Sequence, residues 1–195
     1  MALDFDEEAL VRALDACPPL ARAVFAAACV ERLRRAYVSF ARASGLVDGE
    51  RRFVQLLDDL WRALERPLDV SVERRKAAVD AAIALIPDAD DELYDPYAED
   101  AAAALLYAWE CLATGESQPA AWAARRSHEA VDQLVIRPPS VEIGDPAAEA
   151  RILAHPLIQA ALERQRADLV DLRSFDDSAA ARVRGRAERT CALRS

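Results

Sequence analysis

The segment LARAVFAAACV, residues 20–30, restricts this chain more than any other feature. Read as a helix, it presents apolar side chains on nearly every side. A helix apolar all round is normally buried all round. Pro19 suits the first turn of such a helix. Further along, the apolar surface narrows to a stripe of Cys29, Leu33, Tyr37 and Phe40, and Gly45 marks the end. The pattern predicts a central helix over about 19–44 that other helices must surround.

The rest of the chain supplies those partners. Asp6 or Phe5 opens a short helix that Pro18 closes. After a turn at Asp48–Gly49, Phe53, Leu56, Leu57, Leu60, Trp61 and Leu64 fall at helical spacing. Ser71 is placed to cap a helix whose stripe is Val79, Ala82, Ile83 and Ile86. Helices follow over about 96–114, 118–136 and 145–174, with a loop at 137–144. His155–Pro156 breaks the last of them, because proline disfavours helical backbone at the residue before it. A weak helix covers 176–188. No segment alternates with period two. These readings predict an all-α, single-domain bundle of about seven to eight helices over 1–174. Residues 175–195 form a weak C-terminal helix and an arginine-rich tail.

Composition agrees. At 53% apolar the chain is too hydrophobic for a disordered protein. Its 5 glycines are scattered and form no phosphate-cradling loop. Cys17, Cys29, Cys111 and Cys191 show no metal-knuckle or redox spacing and read as free thiols in a reducing cytosol. The formal charge of −9 opposes binding to phosphate backbones, so no nucleic-acid partner is expected. The start, MALDFDEEALV, lacks the basic and apolar regions of a signal peptide. No run approaches the ~20 apolar residues of a membrane span. A cytoplasmic protein without a membrane partner is the expectation.

Candidate polar groups fall in three places. Seven acids and no base lie between Asp88 and Asp100. Set against a calcium loop, Asp88, Asp90, Glu92 and Glu99 take positions 1, 3, 5 and 12, but Leu93 stands where glycine must turn the chain. The segment is therefore no EF-hand. A looser cation site from Asp90, Asp91, Asp95 and Asp100 competes with a solvated turn that leads into a helix, and with a docking surface for a basic partner. Glu31 and Arg32 lie mid-helix beside the wholly apolar stretch. If buried they must be paired, because an unpaired buried charge is very costly. They read as an ion pair between helices or as a cleft, with Asp58–Asp59 as a partner for Arg32. The tail from Arg182 carries five arginines and one glutamate. It reads as a frayed end or as an arm docked on the acidic segment. His128 reads as semi-buried, and His155 as a cap or an exposed residue. No GxSxG elbow exists. The candidate polar site is Glu31, Arg32, Asp90, Asp91, Tyr94, Asp95 and Asp100. No catalytic residue, metal or cofactor is assigned.

The runs FAAACVERLRRAYVSFA, LLDDLWRAL and IPDADDELYDPYAEDAAAALLYAWECL, in that order, resemble the YjaG-like bacterial family, catalogued as domain of unknown function 416. HPLIQAALERQ is similar to its C-terminal helix, so the likeness spans about Leu20 to Leu172. The resemblance implies an all-helical, single-domain cytosolic fold and no activity. The arginine-rich tail departs from the family pattern. With catalytic motifs missing and charge segregated, the expectation is a non-enzymatic protein that acts through a protein partner or a second copy of itself. The alternative is an enzyme or small-ligand protein with a carboxylate site between helices.

Overall fold

The computed structural model describes residues 2–66, 70–88, 90, 94–136 and 146–190. Asp91, Cys191 and the whole of the expected loop at 137–144 lie outside them. Among the described residues every regular element is a helix: α1 (Glu7–Asp15), α2 (Pro19–Ala43), α3 (Val47–Glu65), α4 (Val72–Ile83), α5 (Pro96–Thr114), α6 (Ser117–Ile136), α7 (Pro146–Leu153), α8 (Pro156–Arg173) and α9 (Asp177–Arg189).

α2 is the central helix. It packs against α3, α5, α6, α8 and α9. Ala21 and every residue from Ala23 to Val30 are fully buried. The alanines let neighbouring backbones come close, and Phe25 and Leu33 fill the wider gaps. Arg22 is the one long polar side chain in this stretch, and it ties three elements together. Its guanidinium donates to the carbonyls of Leu14 (3.0 Å), Cys17 (3.0 Å), Asp15 (3.1 Å) and Gly115 (2.7 Å). The end of α1, the start of α2 and the end of α5 are thereby joined, and α5 runs antiparallel to α2.

Helix ends follow local chemistry. Asp6, Ser71, Asp95 and Asp176 cap α1, α4, α5 and α9 by accepting from backbone N–H groups. His155 caps α8 by the same means, its Nδ1 accepting from Leu157 N at 3.3 Å. His128 is half-buried and stacks on Phe5 at 5.1 Å between ring centres. Burial holds its pKa below the ordinary value.

Two readings of the elements need correction. Asp48 and Gly49 lie inside the first turn of α3, not in a turn before it. The chain reverses at Gly45, whose φ of +69° belongs to the left-handed region that glycine enters freely. α4 is rotated from the expected face. Ala78, Ala82 and Leu85 are buried, while Ile83 is 51% exposed. Alanines on the inner face let α4 lie close against α5.

α9 is packed rather than frayed. Ala179, Val183 and Ala187 are fully buried against α2 and the common core. Among the described residues its arginines pair with α3, α8 and α9 rather than with the acidic segment. Arg182 pairs with Asp171, Arg184 with Glu65 and Glu188, and Arg186 with Asp168 and Asp171.

Candidate functional site

The described candidate polar residues separate into two surroundings, with Asp90 apart from both, and a third surrounding holds none of them. Glu31 and Arg32 are adjacent on α2 and buried, and they look toward different helices. Glu31 accepts from the Trp61 indole N–H of α3 at 3.1 Å and from Arg34 at 3.4 Å. Arg32 pairs with Asp168 of α8, whose carboxylate is 0% exposed. The expected partner from Asp58–Asp59 is wrong: Asp59 pairs with Arg62 at 3.0 Å. Arg186 reaches Asp168 at 2.6 Å and also holds Asp171. A chain of alternating charge thus joins α2, α8 and α9: Arg32, Asp168, Arg186, Asp171. Each buried charge meets an opposite one, as burial requires.

The second surrounding is the start of α5. Asp95 accepts from the backbone N–H of Tyr97 (2.8 Å) and Ala98 (3.1 Å), so its carboxylate serves its own helix. Asp100, one turn further on, is 2% exposed. It accepts from Arg126 and Gln133 of α6, each at 3.2 Å. Burial pushes its carboxyl up to about 7, and the Arg126 guanidinium only partly offsets this. Tyr94 donates to the Glu99 carboxylate, and this bond raises the phenol to about 12. Asp90 stands apart in an exposed turn where its N–H donates to Asp88. Among the described residues no three histidine, cysteine, aspartate or glutamate side chains gather as a metal ion would need.

Thiol chemistry is also disfavoured. Cys17, Cys29 and Cys111 are free and buried. Burial raises Cys29 and Cys111 to about 12, so neither thiolate forms near neutral pH.

The third surrounding was missed by sequence reasoning. A cavity of about 720 Å³ opens between α2, α3 and α9. Leu20, Val24, Trp61, Leu64 and Phe175 line it, and Glu65, Arg184 and Glu188 form a charged lip. The Arg184 guanidinium lies 5.1 Å from the centre of the Trp61 ring. It also donates to Glu65 at 3.1 Å and Glu188 at 3.0 Å. The signal was present in the α9 sequence. Ala179, Val183 and Ala187 recur at helical spacing, so the segment has an inner face that must meet the core.

Fold and site together define a class: an all-α bundle around a buried alanine-rich helix, with internal charges paired and an apolar groove left open. The chain belongs to the family described as "Protein of unknown function (DUF416)", whose model matches residues 9–188. The crystal structure of a DUF416 family protein from Shewanella baltica OS155 has the same fold, with a TM-score of 0.75 at 18% identity. The match covers 92% of this chain and 93% of that one. No curated protein matches the sequence. Among the described residues no helix is long and apolar enough to cross a membrane.

Proposed function

We propose that this protein acts by binding rather than by catalysis, and that the groove between α2, α3 and α9 receives the apolar face of a partner helix. The observation that carries this reading is the contrast between the two kinds of site. Glu31, Arg32 and Asp100 are each buried and held by a side chain of another helix, and among the described residues no accessible acid, base and nucleophile converge. The groove is apolar inside and charged at its edge, as binding surfaces are. Its lining runs along α9 from Ala180 to Glu188, about 12 Å at the helical rise. That length suits two turns of an amphipathic helix with anchors at i, i+3, i+4 and i+7. The volume accommodates several apolar side chains. Two acids and one arginine form the lip of an acidic protein, which favours basic residues flanking the anchors. The buried free thiols support a reducing, cytoplasmic setting.

The test uses the neutral dye Nile red as a probe and a library of amphipathic peptides as competitors. Ala181 is exposed on the groove wall. Ala181→Trp fills the groove without disturbing the core. The expected result is dye binding to the native chain, displacement by basic-flanked peptides, and loss of both in the variant at an unchanged melting temperature. Equal dye binding by the variant overturns the assignment. Concentration-dependent dimerisation abolished by Ala181→Trp would instead identify a second copy as the occupant.

A further inference from the structure

On the other side of α3 lies a second cavity, of about 430 Å³, between the end of that helix, the start of α4 and the middle of α5. Its lining includes Arg62, Arg66 and Arg74, with Asp59, Glu65 and Trp109. The acids are engaged: Asp59 holds Arg62 at 3.0 Å, and Glu65 is held by Arg184 of α9 at 3.1 Å. Arg66 and Arg74 make no ion pair among the described residues. Trp109 is 2% exposed, and its indole N–H is buried with no acceptor among those residues.

We infer that this cavity is a binding site for a small dianion, a phosphate monoester or a dicarboxylate, and that Arg66 and Arg74 are its principal ligands. Three guanidinium groups around one concavity, in a chain of net charge −9, are a local reversal of sign. Arg62 is neutralised by Asp59, but Arg66 and Arg74 have no such partner among the described residues, and an oxyanion between them supplies one. The guanidinium fork matches phosphate and carboxylate geometry, each pair of N–H groups meeting two oxygens. The Trp109 side chain contributes to the cavity wall, so its indole resonance reports on an occupant. Asp59 and Glu65 at the rim, and the acidic field beyond, disfavour an extended polyanion such as nucleic acid. The ligand is therefore compact. This cavity shares Glu65 with the groove of α2, α3 and α9, but its arginines Arg66 and Arg74 lie outside that groove and the inference does not rest on it.

The experiment follows indole N–H resonances in ¹⁵N-labelled protein, where three tryptophans give three cross-peaks. Inorganic phosphate and succinate are titrated separately at constant ionic strength, with sodium chloride as the reference salt. The expected result is a saturable shift of the Trp109 peak, with Trp61 and Trp122 unmoved. The double variant Arg66→Ala/Arg74→Ala should weaken binding by about tenfold or more. Both positions are exposed, so the fold should survive, and unchanged Trp61 and Trp122 peaks verify it. Arg12→Ala, at an exposed arginine of α1 that lines neither cavity, should leave the affinity as it was. A response to phosphate alone assigns a phosphorylated ligand, and one to succinate alone a dicarboxylate. If neither anion shifts Trp109 beyond what chloride does, or if the double variant binds as well as the native chain, the inference fails.

Discussion

At Asp168 a single carboxylate, shut off from water, faces Arg32 of α2 and Arg186 of α9. Removing it leaves Arg32 buried with its main counter-charge gone, whereas Arg186 keeps Asp171 and some access to water. Asp168→Ala is therefore expected to cost about 3–5 kcal/mol in urea unfolding. Arg186→Ala should cost less, about 1–2 kcal/mol, because that side chain is partly solvated and leaves Arg32 with its partner. Replacing the inner pair together, Arg32→Met with Asp168→Leu, should cost less than Asp168→Ala alone. If the double change proves the more damaging, the ionic chain matters for more than mutual neutralisation. Half of this arrangement was legible in the sequence. Charges beside a wholly apolar stretch, as at Glu31 and Arg32, must find partners. The partner of Arg32 was not legible by proximity, since Asp168 lies 136 residues away. Its signal was positional: Asp168 falls in the same buried stripe of α8 as Ala161, Gln165 and Leu172, where a charge needs a reason.

The helices depend on their glycines in opposite ways. Gly115 ends α5 with φ +74°, and a Cβ there would sit 3.2 Å from the Pro19 Cβ. Both the backbone and the neighbour object, so Gly115→Ala should lower stability by about 1–2 kcal/mol. Gly185 lies within α9 at an ordinary helical φ. A Cβ there meets only the mobile end of Arg189, at 3.2 Å. Gly185→Ala should raise stability by about 0.5–1 kcal/mol through helix propensity, while narrowing the groove it lines. Thermal melts of the two variants should move in opposite directions, and a loss in both would mean that α9 has no room on its groove side. The same contrast explains which boundaries could be read. Asp95–Pro96 and Gly115 delimit α5 as expected because cap, first-turn proline and left-handed glycine all act locally. Gly49 misled, since glycine in a first helical turn costs little. The face of α4 misled for a different reason. Its buried side is set by how near alanines let α5 approach, and that depends on tertiary packing.

Across the whole molecule, titration of the interior turns composition into a pH response. Glu50, Glu73 and Asp176 lie below their ordinary range, held by the Arg42 guanidinium, a backbone N–H and the Ser178 hydroxyl respectively. Their stabilisation is present above the unfolded values and is lost as pH falls through the folded ones. Asp100 acts in the reverse sense. Its folded carboxyl titrates at about 7 against 3.8 when unfolded. Between those values the folded chain keeps a proton that the unfolded chain has released, so stability declines as pH rises through that window and is level above it. His128 opposes this over part of the range. Burial depresses it, so it disfavours folding below its ordinary value and ceases to do so above it. Asp100→Asn isolates the Asp100 contribution. The asparagine oxygen still accepts from Arg126, and Gln133 can turn its amide to meet the new N–H. The variant should match the native chain near pH 4 and gain on it steadily toward pH 7, by about 1.4 kcal/mol for each pKa unit by which the folded carboxyl is raised. Melting curves at half-unit pH steps supply the measurement. A difference that stays constant with pH would mean that Asp100 is ionised throughout, as a tightly held partner of Arg126, and that burial does not govern it.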